Sequence, residues 1–318
     1  MAFDPVRMVC AGEALTDMIR AVVPGTPGAA GETGGEVWHA RVGGSTWNVA
    51  RAFAALGASC GFAGAISEDV FGDALWEASA VAGLDLRFLQ RYPRPPLLAM
   101  VHSTTPPDYF FVGENSADLH FDPSALPAGW MREARWLHLG GISLARQPLA
   151  GRLLALAAEA RGAGVHISYD PNYRKLMDAS YDATLRSMAA LADVIKVSDE
   201  DLRALFRTGD ELAALAQLRA MNPQAVVLYT RGAAGASLHV GAEAWHAVPP
   251  RITVADTVGA GDASMAGLVF SLDTQPSRSW QQHLEFAVAS GAAACRASGA
   301  HAPALAEVDA LLALPSAA

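Results

Sequence analysis

Short unbroken apolar runs recur along this chain, each followed by a longer segment whose apolar residues return at helical spacing. The first kind predicts a buried strand and the second an amphipathic helix. From Trp136 onward the alternation is regular. Strands are expected at Trp136–Leu139, Val165–Tyr169, Val194–Val197 and Ala225–Tyr229. Helices are expected at Pro148–Arg161, near Tyr181–Leu191, from Ser198 to Phe206 and at Asp210–Met221. Such alternation implies a parallel sheet with helices on both faces. The N-terminal part adds strands at Val6–Ala11 and Ser59–Ile66. A helix opens at Gly43-Gly44-Ser45 and runs to about Leu56, stopped by Gly57; another spans Phe71–Ala82 and closes at Gly83.

Three segments break this pattern. Thr26 to Glu36 is rich in Gly and reads as a loop. Glu36–Val42 alternates, as a strand with one exposed face does. Leu97–Ser103 and Tyr109–Val112 read as a hairpin around Thr105-Pro106-Pro107-Asp108. Tyr109 and Phe111 fall on one side and Phe110 and Val112 on the other, which suits either a sheet covering a site or an ordinary surface hairpin. The antiparallel-looking pieces at Asp17–Val42 and Leu97–Val112 are expected to form a small separate sheet. The whole is expected to be one domain over 1–318. Its core is a doubly wound, mostly parallel α/β sheet, and its small β-sheet lid comes from about 15–44 and 97–114.

The chemistry concentrates near the C-terminus. Ile252-Thr253-Val254 is a β-branched run that predicts one more strand. It passes through Asp256-Thr257-Val258-Gly259-Ala260-Gly261-Asp262 into an Ala-rich apolar segment, which predicts a helix. A strand turning through Gly-Ala-Gly into a helix leaves backbone N–H groups pointing out of the helix start. With the positive end of the helix dipole they make an anion site. Gly259 and Gly261 let the backbone approach a phosphate with no Cβ in the way. Asp262 fits this place in two ways. It takes a proton from a hydroxyl that attacks the phosphate, or it is a first-turn acid supporting the helix dipole. Asp17 lies just past the end of the first strand, where ligands of open α/β sheets sit. It can accept from ligand hydroxyls or be a turn aspartate. Asn48, on the first turn after Gly43-Gly44, can donate and accept to a vicinal diol.

Composition narrows the choice. Of 318 residues 52% are apolar, but no run is as long as a membrane span. The net charge of −9 with no basic cluster argues against nucleic acid or an anionic membrane as partner. The first residues lead straight into strand-like Met8–Ala11, without a signal-peptide pattern. Cys10, Cys60 and Cys295 are scattered and lack metal-ligand spacing, as expected of reduced thiols in a cytoplasmic protein. The histidines form no H-x-x-x-H pair. Lys175 and Lys196 are the only lysines and neither follows Gly, so the chain has no Walker A loop. The V-A-I-K and H-R-D signatures of protein kinases are missing too. Phosphate chemistry here needs another scaffold.

Asp256 to Asp262, followed after three residues by Ala266-Gly267-Leu268-Val269, resembles the C-terminal signature of the PfkB/ribokinase family of carbohydrate kinases throughout. The family's N-terminal signature is partly present in Gly43-Gly44, Asn48, Ala50, Gly57, Gly64, Asp69 and Phe71-Gly72. It departs at Thr46, where Gly, Ala or Pro is usual, and at Ser67, where Gly is usual. The resemblance runs nearly end to end. Ser116-Ala117-Asp118, the run from Leu137 to Leu144, Asp170-Pro171-Asn172-Tyr173-Arg174 and the tail from Ala289 to Cys295 with Gly299-Ala300 look most like the fructokinase branch.

The resemblance implies a ribokinase-like fold and phosphate transfer from ATP to a primary hydroxyl of a free sugar, fructose first. It implies that Asp262 is the base and that the backbone of Gly259, Ala260 and Gly261 holds the developing charge. Asp17, Gly43, Gly44 and Asn48 would bind the sugar, and Arg174 would neutralise phosphate or contact substrate. Ser198, Thr230, Gly232 and Gly235 would line the nucleotide site. Mg2+ would arrive with ATP. The family's N-x-x-E magnesium motif falls on Ser198-Asp199-Glu200-Asp201, with Ser for Asn and Asp for Glu, which leaves Glu200 or Asp201 to serve the metal. Asp256 and nearby carbonyls would hold a monovalent cation, K+, in relatives that use one. Lid sheets of the family often pair between subunits, which implies a homodimer through the lid. Alternatives are a 2-keto-3-deoxygluconate kinase, then a nucleoside kinase, and from another class a non-catalytic sugar sensor. The intact Gly-Ala-Gly-Asp counts against the sensor. A dinucleotide-dependent oxidoreductase is disfavoured because Ser264 stands where the third Gly of G-x-G-x-x-G belongs.

Overall fold

The structure, a computed structural model, describes residues 5–21, 37–104 and 107–313. The loop expected at 26–36, the turn residues Thr105 and Pro106 and the tail from Pro315 lie outside them. The N-terminal elements are β1 (Met8–Ala11), β2 (Leu15–Ala21), β3 (Val37–Gly43), α1 (Ser45–Ala55), β4 (Cys60–Ser67) and α2 (Val70–Val81). There follow β5 (Leu89–Tyr92), β6 (Leu98–Thr104), β7 (Pro107–Val112), a single turn α3 (Trp130–Glu133), β8 (Trp136–Gly140), α4 (Leu149–Gly162) and β9 (His166–Asp170). Then come α5 (Asp182–Leu191), β10 (Val194–Ser198), α6 (Asp199–Leu205), α7 (Glu211–Met221), β11 (Val226–Thr230), β12 (Ala236–Val240) and β13 (Glu243–Ala247). The chain finishes with α8 (Ala260–Thr274), α9 (Trp280–Ala294) and α10 (Leu305–Leu312).

Among the described residues the main sheet runs β13-β12-β11-β10-β9-β8-β1-β4-β5 and is parallel except where β12 meets its two neighbours. Its central strands are buried on both faces. In β1, Met8 and Cys10 enter one core while Val9 and Ala11 enter the other. A strand buried on both faces has no polar side to show, which is why these strands read as continuous apolar runs.

The small sheet has the order β3-β2-β6-β7. Its outer pairs are antiparallel as expected, but β2 and β6 run parallel. The cause is topological. Both strands leave the same end of the main sheet, β2 just after β1 and β6 just after β5, so they set out in one direction. Tyr109 and Phe111 pack edge to face at 5.7 Å, and Phe110 and Val112 are exposed, so the two sides separate as the alternation predicts.

The strand expected at Ile252 is absent. Residues 252–258 join no ladder: Pro249-Pro250 breaks the extension after β13, and the N–H groups of Ala255 and Asp256 instead donate to Cys295 O at 2.9 and 3.3 Å. The helix after it forms as expected. Because α8 is packed by α1 on one side and α9 on another, most of its residues are buried. Small residues let it come close to α9: a Cβ on Gly267 would lie 2.3 Å from Ser290 Oγ, and one on Gly291 would lie 2.2 Å from Ser264 Oγ. No described helix is long and apolar enough to cross a membrane.

Candidate active site

The chain returns to one end of the main sheet after β1, β8, β9, β10 and β11, and the site is built from those turns and the starts of α1 and α8. Open α/β sheets bind ligands at this end of their strands. Asp262, in the first turn of α8, is 7% exposed. Ser45 Oγ donates to its Oδ1 and Asn48 Nδ2 to its Oδ2, each at 2.9 Å. Both donors come from the first turn of α1, so the two helix starts face each other. Asn172 Nδ2 in turn donates to Ser45 Oγ at 2.6 Å. Burial pushes the Asp262 carboxyl up from its ordinary value, opposed by Asn48, Lys196, Ser45 and Arg174. These hydrogen bonds tie Asp262 to α1, a link that dipole support alone does not require.

Asp17 lies on β2, in register with Arg41 and Ala99. Its carboxylate covers Gly43, where a Cβ would lie 2.5 Å from Asp17 Oδ2. Burial raises its pKa to about 6, against the pull of Arg174. Gly44 caps α1 at φ 121°, and a Cβ there would lie 2.5 Å from Glu13 O, so only Gly fits. Asn48 Oδ1 is buried and has no hydrogen-bond partner among the described residues. A buried acceptor of that kind is usually satisfied by a ligand or an ordered water. Arg174 Nη1 donates to Asn172 O at 3.1 Å and Tyr173 O at 2.8 Å, and also bonds Asn172 Oδ1. Its guanidinium carbon lies 6.0 Å from the centre of the Tyr109 ring on the small sheet. Asp17, Gly43, Gly44, Asn48, Arg174 and Asp262 are thus brought together.

Gly259 caps α8 in the left-handed region at φ 79°, where a Cβ would meet Ala300 at 2.8 Å. The first intrahelical bond runs from Ala263 N to Gly259 O at 2.9 Å, which leaves the N–H groups of Gly261 and Asp262 without an intrahelical acceptor. That of Ala260 donates to Thr257 O at 3.2 Å.

The nucleotide-side and metal-side residues are more dispersed. Ser198 and Asp201 form a capping box on α6, with bonds of 3.0 and 2.7 Å, and Asp201 Oδ1 also accepts Tyr173 N–H at 2.8 Å. Both Asp201 oxygens are therefore engaged, while Glu200 beside it is exposed. Thr230 Oγ1 donates to Val197 O at 3.4 Å. Gly232 has open space around a Cβ position, but Gly235 does not: a Cβ there would lie 2.2 Å from Ala247 O. Asp256 is set apart, accepting from Val258 N at 3.1 Å and Gly299 N at 2.8 Å. Burial acts to raise its pKa, but these bonds and Arg41 prevail and hold it below the ordinary range. No cluster of three or more His, Cys, Asp or Glu among the described residues is arranged to hold a metal.

Three contributors were not foreseen. Ser45 holds Asp262. Glu13, 2% exposed, accepts Ser45 N–H at 3.3 Å and Ser143 N–H at 3.3 Å, joining α1 to the turn after β8. Burial raises its pKa, against its bonds to Ser143 and the backbone and against Arg174. Lys196 reaches from β10 under Gly261. The departures Thr46 and Ser67 are both absorbed locally: Thr46 Oγ1 donates to Glu13 O at 3.1 Å, and Ser67 Oγ to Asp69 Oδ1 at 2.6 Å.

The pfkB family model for carbohydrate kinases matches residues 7–307. The chain is 34% identical over 271 residues to a fructokinase of Rhizobium leguminosarum bv. trifolii, covering 83% of this chain and 79% of the relative. It is 30% identical over 261 residues to aminoimidazole riboside kinase of Salmonella typhimurium, covering 80% of each. A crystal structure of fructokinase with bound ATP from Xylella fastidiosa superposes with a TM-score of 0.85 at 27% identity, covering 96% of this chain and 97% of that one. The chain belongs to the pfkB family of carbohydrate kinases. It is a sugar phosphotransferase with a ribokinase-like fold.

Proposed function

We propose that the protein transfers the γ-phosphoryl group of ATP to a primary hydroxyl of fructose, with Asp262 as the base. The observation that carries this reading is the placement of a buried, doubly hydrogen-bonded carboxylate beside unpartnered N–H groups at the start of α8. Asp262 takes the proton of the sugar hydroxyl as its oxygen bonds to the γ-phosphorus. The bond from that phosphorus to the β–γ bridging oxygen breaks, and ADP leaves with the electron pair. The N–H groups of Gly261 and Asp262 receive the charge that builds on the phosphoryl oxygens. Asp17 and the open Oδ1 of Asn48 accept the other sugar hydroxyls.

Mg2+ bound by nucleotide phosphates keeps several waters and takes one or two carboxylates. The residues present fit such an ion: Glu200 offers an exposed carboxylate, and Asp201 holds the loop through Tyr173. When bound, the ion offsets phosphate charge.

A neutral sugar suits the pocket better than an acidic one. Asp17 and Asp262 both face it, and Arg174 is already drawn to the carbonyls of Asn172 and Tyr173. A second reading is aminoimidazole riboside. The relative acting on it and the aromatic Tyr109–Phe111 pair favour that reading, since the pair could stack on a base. A coupled ADP-release screen with fructose, ribose, aminoimidazole riboside, 2-keto-3-deoxygluconate and adenosine separates these. Fructose is expected to give the highest kcat/KM; a higher value for any other acceptor would replace it.

A further inference from the structure

We propose that Lys196 is a positioning residue for phosphoryl transfer: its buried ammonium, lodged against Gly261, keeps Asp262 anionic and sets a fixed positive charge beneath the cradle. The inference rests on the reading of Asp262 as the base. Lys196 is 5% exposed and sits between the buried apolar residues Ile195 and Val197 of β10. Its Nζ lies 2.9 Å from where a Cβ on Gly261 would be. The glycine therefore admits an ammonium from below as well as a phosphate from above.

Three carboxylates converge on that ammonium. Nζ is 3.0 Å from Asp170 Oδ2, a close ion pair, and 4.0 Å from Asp201 Oδ2. Asp262 lies within its field. The hydrogen-bonding needs of these carboxylates are met largely elsewhere: Asp170 Oδ1 accepts Asn172 N–H at 3.0 Å, Asp201 accepts two backbone N–H groups, and Asp262 has Ser45 and Asn48. What Lys196 adds for Asp201 and Asp262 is charge. Stability alone is a weak reason to keep it, because well-packed apolar residues commonly do as well as a buried ion pair.

The charged groups facing Asp262 are Lys196 from β10, with Asp170 and Arg174 from the end of β9 and its loop. From α1, neutral Ser45 and Asn48 bond its carboxylate. Burial lowers the Lys196 pKa, but Asp170, Asp201 and Asp262 outweigh that and hold it above its ordinary value. Burial raises Asp170 to about 7, with Lys196 pulling down and Asp201 and Asp262 pushing up. Without the ammonium, like charges at this spacing would force a proton onto one of the acids.

The test is the pH dependence of kcat with fructose and MgATP in Lys196→Met and Asp170→Asn. Removing the positive charge should move the acid limb up by about one pH unit; removing the negative one should move it down. Lys196→Met should also lower kcat by about 100-fold with the sugar KM changed less than about threefold. If Lys196→Met does not fold, the double variant K196M/D170N removes both members of the closest ion pair together. Its kcat should still be depressed at least about tenfold. Limbs that stay put or move together, or a double variant with wild-type kcat, would make Lys196 a mere counter-ion and overturn the proposal. Retained turnover in Asp262→Asn would sink the base assignment instead, so the two failures are distinct.

Discussion

Among the proposed sugar-contacting residues, Asp17 has an ionisation brought close to working pH. Its carboxylate forms as pH rises through about 6 and is lost as pH falls. If it accepts sugar hydroxyls, the acid side of the kcat/KM profile for fructose carries its titration, because kcat/KM reports the free enzyme. Asp17→Asn should remove that component and raise the sugar KM by about 10- to 100-fold at pH 8, the range for a hydrogen bond to a charged group. A profile and KM unchanged from wild type would take Asp17 out of the sugar site. At this scale the sequence was informative where a residue type and its turn belong together: Asp262 after Gly-Ala-Gly, Asn48 after Gly-Gly. Ser45 and Glu13 were hidden because their partners lie far along the chain, Ser45 reaching Asp262 and Glu13 reaching Ser143. Lys196 did leave a trace, a lysine in the middle of an apolar strand, where charged residues are seldom buried without a partner.

Among the elements, α8 carries the cradle and α9 fixes where it sits. Gly291 lies under Ser264 and Ala260, so Gly291→Ala would push α9 away from the first turns of α8. The expected cost is about 1–3 kcal/mol by urea unfolding, the range for overpacking. Ser264→Ala combined with it should recover part of that loss, since it removes the atom 2.2 Å from the new methyl group. A Gly291→Ala protein as stable as wild type would show that the helices can separate freely. The parallel core elements were legible from periodicity within a residue or two. The antiparallel β12 and β13, and the short β5, were not read from the pattern at all. The run Ile252-Thr253-Val254 was misread because β propensity describes side chains, whereas a strand needs a free edge to bond. Here Cys295 O takes the N–H groups instead.

For the whole molecule, the small sheet stands over the strand ends and presents Tyr109 to Arg174. We infer that it closes over bound sugar and keeps water from the phosphoryl group. ATP hydrolysis without sugar should then run at least about 100-fold slower than fructose phosphorylation. Comparable rates would argue against closure.

The most direct measurement compares ADP release by wild type and Asp262→Ala at saturating fructose and ATP, with sugar binding followed by calorimetry. The account predicts that kcat falls by about 100-fold or more while sugar affinity changes less than about threefold. Turnover close to wild type in Asp262→Ala would contradict it.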